Sequence, residues 1–232
     1  TGGSWAARVT SNYNYRYRST GSFSVSYQRQ REGFAGTPGF GLSNNFFVRW
    51  SHSQDPRARP NSRFNASVNF GSSGNFQQNL NSTQEEYLSN TFQSSLQWTA
   101  KVPRTPFSTN ISARHNQNSL TGNVTLTVPS LSLNMQRTSL SKLVGLDAGK
   151  SALLDGVAVT YSTQMENTIQ GADSAFGAQD WSSLKIRNGL KHKLKLTSSS
   201  SVGFVSLSPS FTYDQYDSFQ SLDVSEVQVT ED

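Results

Sequence analysis

Alternation with a period of two runs through most of this chain and leaves little choice of fold. In residues 5–17 the odd positions are Trp5, Ala7, Val9, Ser11, Tyr13, Tyr15 and Tyr17, and the even ones are Ala6, Arg8, Thr10, Asn12, Asn14 and Arg16. A helix would spread both sets around its circumference, whereas a strand sorts them onto two faces. The same sorting sets Phe64, Ala66, Val68 and Phe70 against Arg63, Asn65, Ser67 and Asn69. Between 90 and 102 it opposes Phe92, Leu96, Trp98, Ala100 and Val102 to Thr91, Gln93, Ser95, Gln97, Thr99 and Lys101. Further strands are expected at 22–31, 44–53, 107–116, 121–128, 130–137, 157–165, 190–197, 204–213 and 222–229. That makes about twelve strands, many near the ten or so residues of a strand that crosses a bilayer.

The connections carry turn chemistry. Asp55-Pro56-Arg57-Ala58-Arg59-Pro60-Asn61 is a tight polar link, since proline fixes φ and Asp and Asn tolerate turn conformations. Gly33 to Gly41 is a Gly/Pro loop and 103–106 a short connector, while longer links are expected at 71–89, 138–155 and 166–187. Short links on one side and long ones on the other are what an outer-membrane barrel shows. Leu143, Leu146, Leu153 and Leu154 suggest a short helix within 140–154. No domain boundary is visible, so residues 1–232 read as a single β-region.

One face is Ser, Thr, Asn and Gln with scattered Arg; the other is aromatic and aliphatic. Trp5, Tyr17, Trp50 and Trp98 fall near expected strand ends, as in the aromatic girdles of membrane barrels. Backbone N–H and C=O groups must all be paired in lipid, so such strands persist there only in a closed barrel. The expected fold is therefore an all-β, antiparallel transmembrane β-barrel. No stretch approaches the 18 or so apolar residues of a membrane-spanning helix. Composition agrees: only 34% of residues are hydrophobic and 15% charged, yet 11% are aromatic, a poor match to disorder.

Chemistry of other kinds finds little support. With no cysteine there is no disulfide, thiolate metal site or cysteine nucleophile. His52, His115 and His192 lie far apart without metal-ligand spacing; the first two share phase with apolar residues, and Lys191-His192-Lys193 reads as a solvated strand end. No metal, cofactor or catalytic set is expected, and the chain does not read as an enzyme. Tyr13 to Arg18 could suggest a nucleic-acid platform, but strand phase puts its tyrosines and arginines on opposite faces. Thr1 to Trp5 has neither a basic nor an apolar leader region, as expected of a mature chain or an internal fragment. The net charge of +5 conceals an asymmetry: residues 1–60 hold eight Arg against Glu32 and Asp55, and residues 213–232 hold six acids and no base. The acidic stretch reads as a solvated end. The bases Arg8, Arg16, Arg49, Arg63, Lys101 and Arg114 share the polar phase, which suits either an ion-selective wall or passage of an anionic amphiphile.

The run Arg49-Trp50-Ser51-His52-Ser53-Gln54-Asp55-Pro56-Arg57-Ala58-Arg59-Pro60-Asn61-Ser62 resembles the LptD-like LPS-assembly outer-membrane proteins of the Bacteroidetes lineage. Gly3 to Ala6, Tyr27 to Arg29, Ser112 to Asn118, Leu126 to Leu131, Asn188 to His192 and Ser208 to Phe211 follow in the family's order. The resemblance implies an integral outer-membrane barrel component that delivers lipopolysaccharide to the outer leaflet. It also implies an LptE-like lipoprotein plug and a periplasmic Lpt bridge as partners. The family's barrel is larger than twelve strands, so this chain is expected to be an internal segment of its wall, without the periplasmic domain. Asn12, Asn14, Arg16, Arg49, Asn69, Gln93, Gln97, Asn110 and Arg114 are the expected lumen-facing residues, keeping the passage wet for sugar and phosphate. A passive channel or receptor barrel, or a surface β-rich adhesin, would share the alternation.

Overall fold

The computed structural model describes residues 3–33, 36–37, 40–72, 91–146, 152–178, 183–202 and 205–220. Ten strands form one sheet of antiparallel neighbours. They are β1 (Trp5–Tyr15), β2 (Ser19–Glu32), β3 (Gly41–Gln54), β4 (Ser62–Gly71), β5 (Thr91–Lys101), β6 (Phe107–Asn118), β7 (Asn123–Ser139), β8 (Val157–Ala172), β9 (Lys185–Ser198) and β12 (Ser210–Gln220). Two short strands, β10 (Ser200–Val202) and β11 (Val205–Leu207), form a separate hairpin between β9 and β12. From β1 to β9 sequence neighbours are sheet neighbours, β12 then pairs with β9, and β1 and β12 are the two edges of the described sheet. Among the described residues, no helix is long and apolar enough to cross a membrane. Among the described residues, helices appear only as short pieces in the links: α1 (Leu140–Leu143), α2 (Ala152–Asp155) and α3 (Asp173–Ala178).

The sheet holds ten strands rather than about twelve, for identifiable reasons. Segments 121–128 and 130–137 are one strand, because Val128 and Pro129 sit in a bulge where the β7–β8 register skips from Thr127 to Ser130. Proline has no N–H to give a ladder, and a bulge is where a strand tolerates it. Asn167 of β8 completes the irregularity, its amide donating to the Val128 carbonyl at 2.8 Å. The expected strand at 204–213 splits into β11 and the start of β12, which continues through Asp214 and Asp217 to Gln220. The first part of the acidic stretch is therefore an exposed edge strand rather than a loop. The expected strand at 222–229 lies outside the described residues.

Strand β1 stops at Tyr15, two residues before the alternation does. Arg16 to Arg18 form the turn into β2, closed by the Arg18 N–H donating to the Tyr15 carbonyl at 2.9 Å. Tyr17 takes φ of 60°, the left-handed region, so it continues the pattern by residue type but not by geometry. Arg16 and Tyr17 are turn residues, and the Arg16 guanidinium lies 4.8 Å from the Tyr17 ring centre.

The links do not alternate short and long. One end of the sheet carries 16–18, 55–61, 102–106, 140–156 and 199–209, and the other 33–40, 72–90, 119–122 and 173–184. The 119–122 link is tight because the Asn118 side chain accepts from the N–H groups of Leu120 and Thr121, and Gly122 supplies a left-handed turn position. In the 140–156 link the expected helix is two short turns, α1 and α2, joined by the Ser141 hydroxyl donating to the Asp155 carboxylate.

Candidate functional site: two faces of one sheet

Because side chains alternate and cross-strand partners share a face, the register shows which residues stand together. One line runs Asn12, Ser22, Ser51, Ser67, Ser95, Arg114, Thr127, Thr168 and Arg187, from β1 to β9 without an apolar member. A second runs Arg63, Thr99, Asn110, Ser132, Gln164 and Lys191. On the opposite face Phe64, Trp98, Ile111, Leu131, Met165 and Leu190 form an apolar line across β4 to β9. Val9, Val25, Val48 and Phe70 form another. The faces mix at the margins: Arg29, Arg31 and Asn44 stand in the apolar phase at one end of β2 and β3, and Gln215 and Asp217 do so on the edge strand β12.

Much of the apolar face lies open, although at one end Phe176 of α3 and Leu184 pack over Gly171, where Phe92 and Val124 are buried. Trp98 and Ile111 near its centre are 38% and 37% exposed, and Val9 on the edge strand is 64% exposed. Soluble domains bury such a face against a second layer, and monomers rarely expose more than a few hundred Å² of contiguous apolar surface. Local packing is nonetheless specific. Tyr13 lies over Gly21, its hydroxyl 2.7 Å from His52 Nδ1, and Trp50 Nε1 donates to the same hydroxyl at 3.1 Å. Trp98 Nε1 donates to the Ser62 hydroxyl at 3.0 Å. The Phe70 ring meets His115 edge-on at 5.4 Å. His192 pairs with the Tyr161 hydroxyl at 2.7 Å in the middle of β9, so it is a packed residue of the apolar face and not a strand end.

Of the nine residues expected to share a surface, Asn12, Asn14, Arg49, Asn69, Gln93, Gln97, Asn110 and Arg114 fall in the polar phase of their strands, and Arg16 falls in a turn. Arg49 Nε donates to Asn69 Oδ1 at 3.2 Å across the β3–β4 pair. The β4–β5 ladder ends at Ser67 and Ser95; beyond it the Ser94 hydroxyl accepts from the Asn69 N–H and donates to its carbonyl, and the Asn69 side chain donates to the Gln93 carbonyl. Arg114 reaches over β7 to Glu166 at 3.5 Å. Arg63, Lys101 and Asn110 line a groove of about 460 Å³ at the turn end of the polar face, with Arg59 from the 55–61 link. Of the aromatics expected at interfaces, Trp5, Trp50 and Trp98 stand in the apolar phase; Tyr17 is in the turn.

One face of the sheet is thus polar over nine strands, and the opposite one is apolar and largely open. A family model described as LptD protein matches residues 1–232. The chain belongs to the LptD protein family. No curated protein matches it. Membership associates the chain with lipopolysaccharide transport in the outer membrane, as a transport component rather than an enzyme, and with Lpt partners in general.

Sequence reasoning missed the most charged part of this LptD sheet. Lys185, Arg187, Lys191, Lys193 and Lys195 occupy alternate positions of β9, all in the polar phase. The signal was legible, since Ile186, Leu190, Leu194 and Leu196 alternate with them. However, Asn188-Gly189 has the composition of a turn, and the strand was expected to start only at 190. The Arg114–Glu166 pair adds little to stability because the two side chains are 57% and 41% exposed. Arg114→Gln is expected to change unfolding free energy by less than about 0.5 kcal/mol, measured by urea titration of the full-length protein in vesicles.

Proposed function

We propose that this chain is a wall segment of an outer-membrane barrel that moves lipopolysaccharide to the outer leaflet. The observation that carries the reading is the apolar face that spans the sheet and lies largely open, which lipid would cover. On this reading the polar face lines the passage, and Asn12, Asn14, Arg49, Asn69, Gln93, Gln97, Asn110 and Arg114 keep it wet for the sugar and phosphate head group. Arg16 contributes from the rim. Residues 1–232 act as one arc of a larger closed barrel. Among the described residues β1 and β12 have no outer partner strand, which supports this, because in lipid unpaired N–H and C=O groups would each cost several kcal/mol. An LptE-like lipoprotein plug and the periplasmic Lpt bridge are the partners that this role implies.

The test uses the full-length protein in cells, with a photoreactive residue at Asn110 or at its neighbour Ile111. Lipopolysaccharide adducts are expected at position 110 and not at 111, and depletion of the protein is expected to stop lipopolysaccharide reaching the cell surface. Normal surface delivery after depletion, with the protein still in the outer-membrane fraction, would sink the transport reading and leave a passive channel.

A further inference from the structure

The cations of β9 are far denser than those of any other strand. By the cross-strand register every other strand places at most one Lys or Arg on the polar face, namely Arg8, Arg49, Arg63, Lys101 and Arg114, whereas β9 places five there. Alternate side chains of a strand stand about 7 Å apart. Lys185 with Arg187, and Lys191 and Lys195 with Lys193, therefore lie within one Debye length of about 10 Å and repel each other. The strands beside β9 do little to neutralise this. Across the pairing, β8 offers Gln170, Thr168, Glu166, Gln164, Ser162 and Thr160, and β12 offers Ser218, Tyr216, Asp214 and Thr212. Glu166 is turned to Arg114 at 3.5 Å, and Asp214 pairs with Lys193 at 3.6 Å. Lys191 lies over the Tyr216 ring at 4.8 Å. Lys185, Arg187 and Lys195 have no carboxylate in ion-pair range among the described residues. A polar sheet face needs no such charge, since serine, threonine and asparagine serve elsewhere on it.

The column also has length and an opening. From Lys185 to Lys195 it extends about 34 Å along the strand, or roughly 26 Å along the axis of a barrel tilted by about 40°, close to the height of the apolar band of such barrels. At its middle stands Gly189, above which a side chain would meet nothing within 4 Å. We propose that β9 is a linear anion track, along which a saccharide bearing several phosphate groups passes from one cation pair to the next. Separate, solvated cations about 7 Å apart offer each phosphate one charge-assisted contact at a time, which holds a polyanion without trapping it. This inference rests on the reading of the polar face as the passage wall.

The experiment places a photoreactive residue at Arg187, Lys191, Leu190 or Asn110 of the full-length protein in outer membranes. Lipopolysaccharide adducts at 187, 191 and 110 but not at 190 would support the track. Adducts at 110 with none at 187 and 191 would overturn the track and leave the transport reading standing. No adduct at any of the four would overturn both. An adduct at 187 or 191 with a protein partner instead of lipopolysaccharide would assign the column to protein docking and overturn the track. A second measurement follows the arrival of newly made lipopolysaccharide at the surface. The combined variant Lys185→Gln, Arg187→Gln, Lys191→Gln and Lys195→Gln is expected to slow it at least about tenfold, the loss of roughly one charge-assisted contact. Removing four link cations instead (Arg18, Arg57, Arg104 and Lys142, each to Gln) controls for net charge. Equal rates in the two variants, with both barrels showing normal heat-modifiable gel mobility, would overturn the track.

Discussion

Leu131→Arg is expected to destabilise the protein in a bilayer by about 2–4 kcal/mol, while Ser132→Arg, one residue along the same strand, costs well under about 1 kcal/mol. Leu131 stands at the middle of β7, between Ile111 and Met165 in the apolar line. An arginine there would put its guanidinium near the centre of the hydrocarbon, with no partner on the neighbouring strands. Ser132 stands between Asn110 and Gln164 on the polar face, where a long charged side chain meets water. Urea titration of the full-length protein refolded into lipid vesicles, followed by tryptophan fluorescence and gel mobility, gives both values. Equal costs at the two positions would mean that the two faces see the same surroundings, and the lipid-facing assignment would fail.

The second large effect concerns Gly21. A Cβ at this position would lie 2.2 Å from the Tyr13 hydroxyl oxygen and 2.3 Å from the Ser51 carbonyl oxygen. The ring of Tyr13 occupies the space that a side chain on β2 would fill, and its hydroxyl meets both His52 and Trp50 on β3. Gly21→Leu would displace the ring, strip those two hydrogen bonds and push on the backbone of β3. The expected cost is about 3 kcal/mol, from overpacking and from the lost polar contacts. Gly189→Thr is the internal control, because nothing lies within 4 Å of a Cβ there and threonine suits an extended strand. It is expected to change stability by less than about 1 kcal/mol in the same vesicle assay. Comparable losses at both positions would show that Tyr13 does not need the space over Gly21.

The two predictions differ in how far they were legible beforehand. The face of Leu131 follows from alternation alone, since Leu131, Leu133 and Met135 stand out against Ser130, Ser132 and Asn134 with no knowledge of neighbours. The role of Gly21 does not. In the sequence it is a small residue beside a strand of serines, and only the pairing of Tyr13 with Gly21 and of Gly21 with His52 shows what the missing side chain admits. Likewise Asn188-Gly189 has the composition of a turn, yet β8 and β12 on either side hold it extended. Pro129 looks like a strand break, but Asn167, 38 residues further on, supplies the contact that lets the strand run through a bulge.

The sequence by itself determined that the chain is built of strands, which side chains share a face on each of them, and that one face is polar and the other apolar. Those properties follow from the alternation of Cβ directions along one extended backbone, which is local. The tertiary structure alone decided where β1 ends, that two expected strands are one, and that the separate alternations join into two continuous faces. It also decided that five cations gather in a single column of β9 with few acids beside them. These depend on cross-strand register, which is fixed by partners that are distant in the chain and leaves no mark on any one strand.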